Sequence, residues 1–256
     1  MGALHAGHIE LVRRARASCD RVVVSIFVNP LQFGPNEDLA RYPRRLAADA
    51  DMCRKAGADI VFAPEPSTFL RMKSLVKVPA APLKKYLCGP FRPGHFDGVA
   101  TIVAHFFRLV RPDKAFFGLK DYQQFRVIQE MSRKHFAPSL ELIGVPTVRE
   151  KNGLAMSSRN RYLKPRRRAE AAALYKALTR ARASVRKNGA NAANIRAELI
   201  RELGAGGRFT VQYAEISDSR SLRPISGMVP QPAAGNVVIA AAVYMDGTRL
   251  IDNVLV

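Results

Sequence analysis

The sequence predicts an α/β chain in two parts: a parallel-sheet domain over residues 1–147, and a smaller α+β domain over 148–256. Three observations predict it. Short β-branched runs alternate with stretches of helical periodicity up to about residue 145, the rhythm of parallel strands joined by right-handed crossovers. Pro146 and the polar run Arg149-Glu150-Lys151-Asn152-Gly153 then break that rhythm. Beyond them come helical stretches and a tail of apolar runs split by Asp246-Gly247, a strong hairpin signal.

Taken in order, Met1-Gly2-Ala3-Leu4-His5-Ala6-Gly7-His8 runs straight into Ile9, Leu11, Val12 and Ala15, one face of a helix. The first turn of a helix carries unpaired N–H groups and a partial positive charge, which suit phosphate. Gly7 would let the backbone approach that phosphate, and His5 and His8 would share a face. The competing reading is a pair of surface or capping histidines. Arg21–Val28 is a β-branched run of strand length and reads as a strand buried on both faces. It ends in the turn formers Asn29-Pro30-Leu31-Gln32-Phe33-Gly34-Pro35-Asn36. The carboxyl edge of a parallel sheet is where such folds place ligands, so Asn29 and Gln32 are candidate contacts. Turn chemistry is the alternative for Asn29, and simple exposure for Gln32.

A helix follows over Arg44–Ala56, stopped by Gly57, then a short strand over Asp59–Ala63, halted by Pro64 and Pro66. Asp49 is a candidate substrate-loop contact, with a solvated helix acid the favoured reading. Residues 66–88 allow at most one short strand, near Leu75–Val78. Arg92-Pro93-Gly94-His95-Phe96 reads as a loop, with His95 divided between pocket and loop packing. Val99, Ile102, Val103, Phe106, Phe107 and Val110 form a helical stripe. Lys114–Gly118 is a brief strand; Gly118-Leu119-Lys120-Asp121 opens the next helix, and Leu140–Val145 is another strand. In the second part, Met156-Ser157-Ser158-Arg159-Asn160 groups two hydroxyls, a fixed cation and an amide, a phosphate grip that is also ordinary loop composition. Helices are expected over Pro165–Lys187, ended by Asn188-Gly189, and over Ala192–Leu203. Strands are expected over Phe209–Ile216, Val237–Met245 and Leu250–Leu255.

The chain has 256 residues, 48% of them hydrophobic, enough for a sizeable core. Its longest apolar runs are too short to span a bilayer, and its first residues read as a working site rather than a secretory signal. Cys19, Cys53 and Cys88 lie far apart, which points to reduced thiols, a cytosolic setting and no metal cage. A formal net charge of +20 favours polyanionic partners, nucleotide triphosphate or nucleic acid. In the basic stretch Arg161–Lys187 a solvated helix face is the favoured reading.

Three phosphate-capable elements in one chain point to nucleotide binding: His-x-Gly-His, Lys120-Asp121 and Ser157-Ser158-Arg159. The third opens the second domain and could close over the others as a lid. There is no Walker P-loop, no plausible Ser/His/Asp set and no metal-ligand cluster. Histidines and cations around a triphosphate suit attack on the α-phosphate, where fixed donors stabilise the charge of the transition state. The reaction class is nucleotidyl transfer with pyrophosphate leaving.

The segments MGALHAGH, SIFVNPLQFGPNEDLARYPR, RPGHFDGVATIV, RPDKAFFGLKDYQQF, VPTVREKNGLAMSSRNRYL and GTRLIDNVLV together make the sequence resemble the pantoate–β-alanine ligase family of His-x-Gly-His nucleotidyltransferases. The resemblance implies a Rossmann-like first domain and a two-step reaction. Pantoate attacks ATP to give pantoyl-adenylate, and the amine of β-alanine then displaces AMP. ATP would come with Mg²⁺, with no tightly bound protein metal site. Carried over by motif, His5 and His8 hold the phosphates, with His8 the proton donor, and the backbone of Met1, Gly2, Ala3, Leu4, Ala6 and Gly7 belongs to the same ATP site. Lys120 stabilises the α-phosphate, Asp121 with Gly118 takes the ribose, and Leu119 belongs to the same ATP site. Ser157, Ser158 and Arg159 grip the outer phosphates, and Met156 and Val148 flank the adenine. Gln32, Gln124 and Asn29 take pantoate, and Gln32 also touches β-alanine. The family pattern implies a cytoplasmic homodimer that engages neither nucleic acid nor membrane.

The sequence departs from the family at two places. Leu119 stands where the family has glutamate. The family also carries a strand ending in Pro-Thr ahead of the Met-Gly-Ala-Leu-His segment, whereas this sequence begins at that Met. Either that strand is truly missing or the start is misplaced; in the first case the expectation is a sheet lacking its first strand, with an open central edge and an impaired enzyme. Two readings from other classes compete: a different adenylating enzyme such as an aminoacyl-tRNA synthetase fragment, and a non-catalytic nucleic-acid-binding module. Against the latter stands the lack of an aromatic-rich platform.

Overall fold

A computed structural model of the chain describes residues 2–35, 37–73, 75, 77–80, 82–187, 189–230 and 235–256. Two compact units emerge. The first runs to Lys84 and adds Phe91–Leu119 and Gln124–Val148; the second holds Lys85–Pro90, Lys120–Gln123 and Arg149–Val256. The expected positions Met1, Asn36 and Asn188 lie outside the described residues.

The first unit is α/β. In chain order come α1 (Ala6–Arg16), β1 (Val23–Ser25), α2 (Leu46–Lys55), β2 (Ile60–Phe62), α3 (Pro66–Phe69), α4 (His95–Val110), β3 (Lys114–Gly118), α5 (Tyr122–His135) and β4 (Glu141–Val145). The first two residues of α5 belong to the second unit. β1 pairs with β2 in parallel with Val23 opposite Ile60, and β3 pairs with β4 in parallel with Lys114 opposite Glu141. The expected single parallel sheet is thus two separate parallel pairs, because among the described residues no strand bridges them.

Two apolar clusters seat these elements. One gathers Leu4, Val12, Ala15, Val22, Val24, Ile26 and Cys53; the other is aromatic, with Phe27 and Phe69 edge-on at 5.1 Å. The run Arg21–Val28 is buried on both faces only at its far end: Ile26 and Phe27 are both buried, but Val23 is 36% exposed beside Val24 at 3%. Successive side chains of a strand point to opposite faces, so the Val23 face is left uncovered until Phe27. No strand forms over 75–78 among the described residues, Val76 lying outside them; the Val78 N–H instead donates to Thr101 Oγ1 on α4 at 2.9 Å.

The second unit is α+β. After α6 (Pro165–Glu170), helices α7 (Ala173–Val185) and α8 (Ala192–Gly204) pack on an antiparallel sheet of β5 (Thr210–Asp218), β6 (Val237–Met245) and β7 (Thr248–Leu255) in the order β5-β6-β7. β6 is buried along almost its whole length, and Asp246 and Gly247 turn with φ of 49° and 74°, the two-residue hairpin their sequence predicts. The helix expected over Pro165–Lys187 is broken at Ala171–Ala172. Both alanines are buried, and the Leu174 N–H tightens to Ala171 O at 3.1 Å. Beyond the break α7 buries Leu174, Ala177, Leu178, Ala181 and Val185, whereas α6 before it buries no residue.

Candidate active site

His5 is the N-cap of α1, with extended backbone, and its Nδ1 accepts from the Gly7 N–H at 3.2 Å. His8, in the first turn, returns the favour: its Nδ1 accepts from the His5 N–H at 3.3 Å. This is a capping box built from two imidazoles. The ring centroids lie 4.0 Å apart. The capping role is thus filled by both histidines. Each ring spends its Nδ1 lone pair on a backbone N–H, so each neutral ring carries its proton on Nε2.

The residues before the cap are fixed from α2. Asp49 is 2% exposed, and its carboxylate accepts from the Ala3 N–H at 2.7 Å and the Leu4 N–H at 2.8 Å. The sequence favours a solvated acid here; the side chain is buried instead because it faces the same way as Cys53, one turn later on α2, which is wholly buried. That register is the signal the sequence offers: an aspartate in line with a core position.

The turn after β1 is equally determined. Asn29 is buried, and its Oδ1 accepts from the Leu31 N–H at 3.0 Å. Its amide donates to Gln32 Oε1 at 3.2 Å and to Gly98 O at 3.2 Å. Gly98 is required for this approach, since a Cβ there would lie 2.5 Å from Leu31 C and 3.0 Å from Gln32 N. From the start of α4, His95 Nδ1 lies 2.8 Å from Gln32 O, and Arg92 Nη1 donates to His95 Nε2 at 2.9 Å. The guanidinium has only donors, so His95 accepts at Nε2 and donates from Nδ1. Arg92 in turn forks onto Glu37, with Nε to Oε1 at 2.6 Å. His95 and Phe96, expected in a loop, form the first turn of α4, and the His95 ring is held against the backbone of Gln32. Beside it, burial would push the Asp97 carboxyl up, but the Ala80 N–H at 2.7 Å and Lys84 Nζ at 2.9 Å hold it below its ordinary value.

Gly118, half-buried, ends β3; Leu119 lies against Gly144 on β4, where a Cβ would come within 2.6 Å of Leu119 Cδ2. The glutamate position of the family pattern is thus an apolar contact here. Gln124 on α5 and Val148 are half-buried.

In the second unit, Lys120 O accepts from Asn253 Nδ2 on β7 at 2.8 Å, which pins the turn bearing Lys120 and the exposed Asp121. Ser157 caps the 3₁₀ turn Ser158–Tyr162, its Oγ accepting from the Arg159 N–H at 3.3 Å. Glu150 organises that loop, taking Asn160 Nδ2 at 2.9 Å and Arg168 of α6 at 2.8 Å on one oxygen. Asn160 also donates to Ala155 O at 3.1 Å, closing the loop around Met156. Arg149 lies 3.5 Å above the Tyr175 ring and reaches the buried Asp252 at 2.6 Å. Glu150, Asp252 and Glu37 hold these loops; they lie within the family-like segments, but no spacing rule singles them out. Among the described residues no cluster of three or more His, Cys, Asp or Glu could hold a metal ion, and no helix is long and apolar enough to cross a membrane.

A profile of the pantoate–β-alanine ligase family matches residues 1–255. The chain belongs to that family. It is 46% identical over 255 residues to the pantothenate synthetase of Moorella thermoacetica, covering 100% of this chain and 88% of the relative. The crystal structure of pantothenate synthetase from Thermus thermophilus superposes with a TM-score of 0.91 at 44% identity, covering 100% of this chain and 90% of the other. The pantoate–β-alanine ligase from Francisella tularensis, crystallised with β,γ ATP and β-alanine, matches with a TM-score of 0.76 at 30% identity, covering 100% and 87%. A ligase match running the length of the chain disfavours the aminoacyl-tRNA synthetase reading.

Proposed function

We propose that this chain joins pantoate to β-alanine with ATP, through pantoyl-adenylate, releasing AMP and pyrophosphate. Family membership supports the reaction. The observation that carries the assignment to residues is the paired imidazole cap, which leaves both rings with Nε2–H as the donor edge. In the first step a pantoate carboxylate oxygen bonds to the α-phosphorus and the bond to the bridging oxygen of pyrophosphate breaks. His5 and His8 donate to the phosphoryl oxygens as that charge develops, and His8 supplies the proton. Lys120 adds a fixed cation at the α-phosphate; Ser157, Ser158 and Arg159 take the outer phosphates. Gly118, Leu119 and Asp121 lie at the ribose, and Met156 and Val148 at the adenine, while the backbone of Met1, Gly2, Ala3, Leu4, Ala6 and Gly7 completes the ATP site. Mg²⁺ enters bound to ATP, as part of the substrate.

Pantoate falls to Gln32 and Gln124. Since Gln32 Oε1 accepts from Asn29, its amide protons are the groups offered to the substrate. Asn29 commits both amide protons within the protein, so it acts on pantoate by orienting Gln32. In the second step the neutral β-alanine amine bonds to the acyl carbon beside Gln32, the bond from that carbon to the AMP oxygen breaks, and the amine's proton passes to the phosphate of the departing AMP. Water must be kept out, because it would hydrolyse the adenylate. The enzyme works as a homodimer in the cytoplasm, on small molecules rather than nucleic acid or membrane.

The test is AMP release with ATP, pantoate and β-alanine, omitting each in turn, beside pyrophosphate exchange. AMP formation should need all three and exchange should need pantoate. His8→Ala should lower kcat by roughly 10²–10⁴-fold. Exchange driven by an amino acid instead of pantoate would overturn the assignment.

A further inference from the structure

We infer that Asp49 is a positioning residue for the ATP-binding turn, setting the register of His5 and His8 through the backbone of Ala3 and Leu4. The inference rests on the proposed ATP site. A carboxylate that is 2% exposed needs partners to offset its lost hydration. Among the described residues no salt bridge includes Asp49; its carboxylate takes the Ala3 N–H at 2.7 Å and the Leu4 N–H at 2.8 Å, one on each oxygen. Both belong to the segment leading into the histidine cap.

The backbone there is unusual. Ala3 has φ of 51°, in the left-handed region that residues with a Cβ seldom adopt. Such a conformation persists only where its surroundings over-determine it. Here two walls do so: the carboxylate grips the N–H groups of residues 3 and 4, and Gly2 is pressed so close that a Cβ would sit 3.2 Å from Val28 Cγ2. Packing of α2 alone would be served by an apolar side chain, as at Cys53 one turn on, which is 0% exposed. The charge is needed only because the backbone amides lie opposite. Two residues after Ala3 comes the His5 N–H, which His8 caps, so a shift of the left-handed turn moves both rings together.

Asp49→Asn tests this with almost no change of size. Its amide nitrogen must face one of the two N–H groups, so one bond is lost and a donor is set against a donor. The expected result is at least a tenfold fall in kcat/KM for ATP, with the KM of β-alanine within twofold of the parent. The melting-temperature rise on adding MgATP, read without turnover, should shrink at least by half. Asp49→Ala should lower kcat/KM for ATP further. An Asp49→Asn protein with kcat/KM for ATP and MgATP shift both within twofold of the parent overturns the inference. So does an equal loss of rate toward all three substrates, the mark of fewer folded molecules. Failure of the parent chain to make AMP with pantoate would sink the ligase reading instead, while the MgATP shift would still report on Asp49.

Discussion

Gly98→Ala sets helix propensity against the approach of α4 to the turn after β1. Gly98 lies inside α4, and alanine is better than glycine in a helix interior by about 1 kcal/mol, so local preference predicts a more stable protein. The structure predicts the opposite sign. The new Cβ would lie 2.5 Å from Leu31 C, and the turn would have to retreat by about 1 Å to reach ordinary contact. Overpacking of this kind costs about 1–3 kcal/mol, and losing the Asn29 bond to Gly98 O at 3.2 Å adds about 1 kcal/mol. Set against the helical gain, the net is a loss of about 1–3 kcal/mol, or a melting temperature lower by roughly 2–12 °C. The same retreat displaces Gln32, so kcat/KM for pantoate should fall by up to about 10²-fold, the cost of misplacing a positioning group by an ångström. Urea unfolding and steady-state kinetics read both effects. Gly204→Ala is the matched control: φ is −76° and nothing lies within 4 Å of its Cβ, so propensity acts there unopposed. A Gly98→Ala protein as stable as the parent, with pantoate kinetics unchanged, would refute the reasoning.

Arg149→Ala should destabilise the second unit by about 3–5 kcal/mol, because it strands the Asp252 carboxylate, whose side chain is 2% exposed, in the interior. Urea unfolding followed by near-ultraviolet circular dichroism measures this, and a loss under about 1 kcal/mol would count against a buried ion pair. Stability should also fall with acid in a defined window. The Val22 N–H beside Asp59 holds its carboxyl below the ordinary value of 3.8, and the Arg167 guanidinium does the same for Asp246. Carboxyls lowered by folding stabilise the protein above the unfolded value, and that contribution drains away as pH falls through the folded values. Urea midpoints should therefore be level from pH 7 to about 5 and decline below about 4. Midpoints that stayed flat to about pH 2.5 would show these pairs to be inert.

Much of the first unit was legible because its elements announce themselves locally. The stripe from Val99 to Val110 and the run Lys114–Gly118 became α4 and β3 with little change. Asp246-Gly247 specified its hairpin outright, since only a residue pair at ease with positive φ fits a two-residue turn. Failures arose where a neighbour distant in sequence decides. Val23 carries the same β-branched signature as Val22 and Val24, and nothing local says that one face of the strand goes uncovered. Ala171 and Ala172 are good helix formers, yet the helix breaks there, where the exposed α6 gives way to the buried stripe of α7.

The site divides along the same line. Residues offered to a ligand cluster in short motifs, because a turn or a helix start presents several groups at once. The residues that hold those motifs still do not: Asp49 acts on Ala3 from 46 positions away, Arg92 on Glu37 from 55, and Arg149 on Asp252 from 103. In each case a carboxylate meets a donor across the fold, an arrangement whose cost in lost hydration only the completed tertiary structure can offset. A charged residue standing in the register of a core position is therefore the one trace such partners leave in a sequence. Asp49, in line with Cys53 on α2, carries this trace, although as a helix acid its residue type favours solvent.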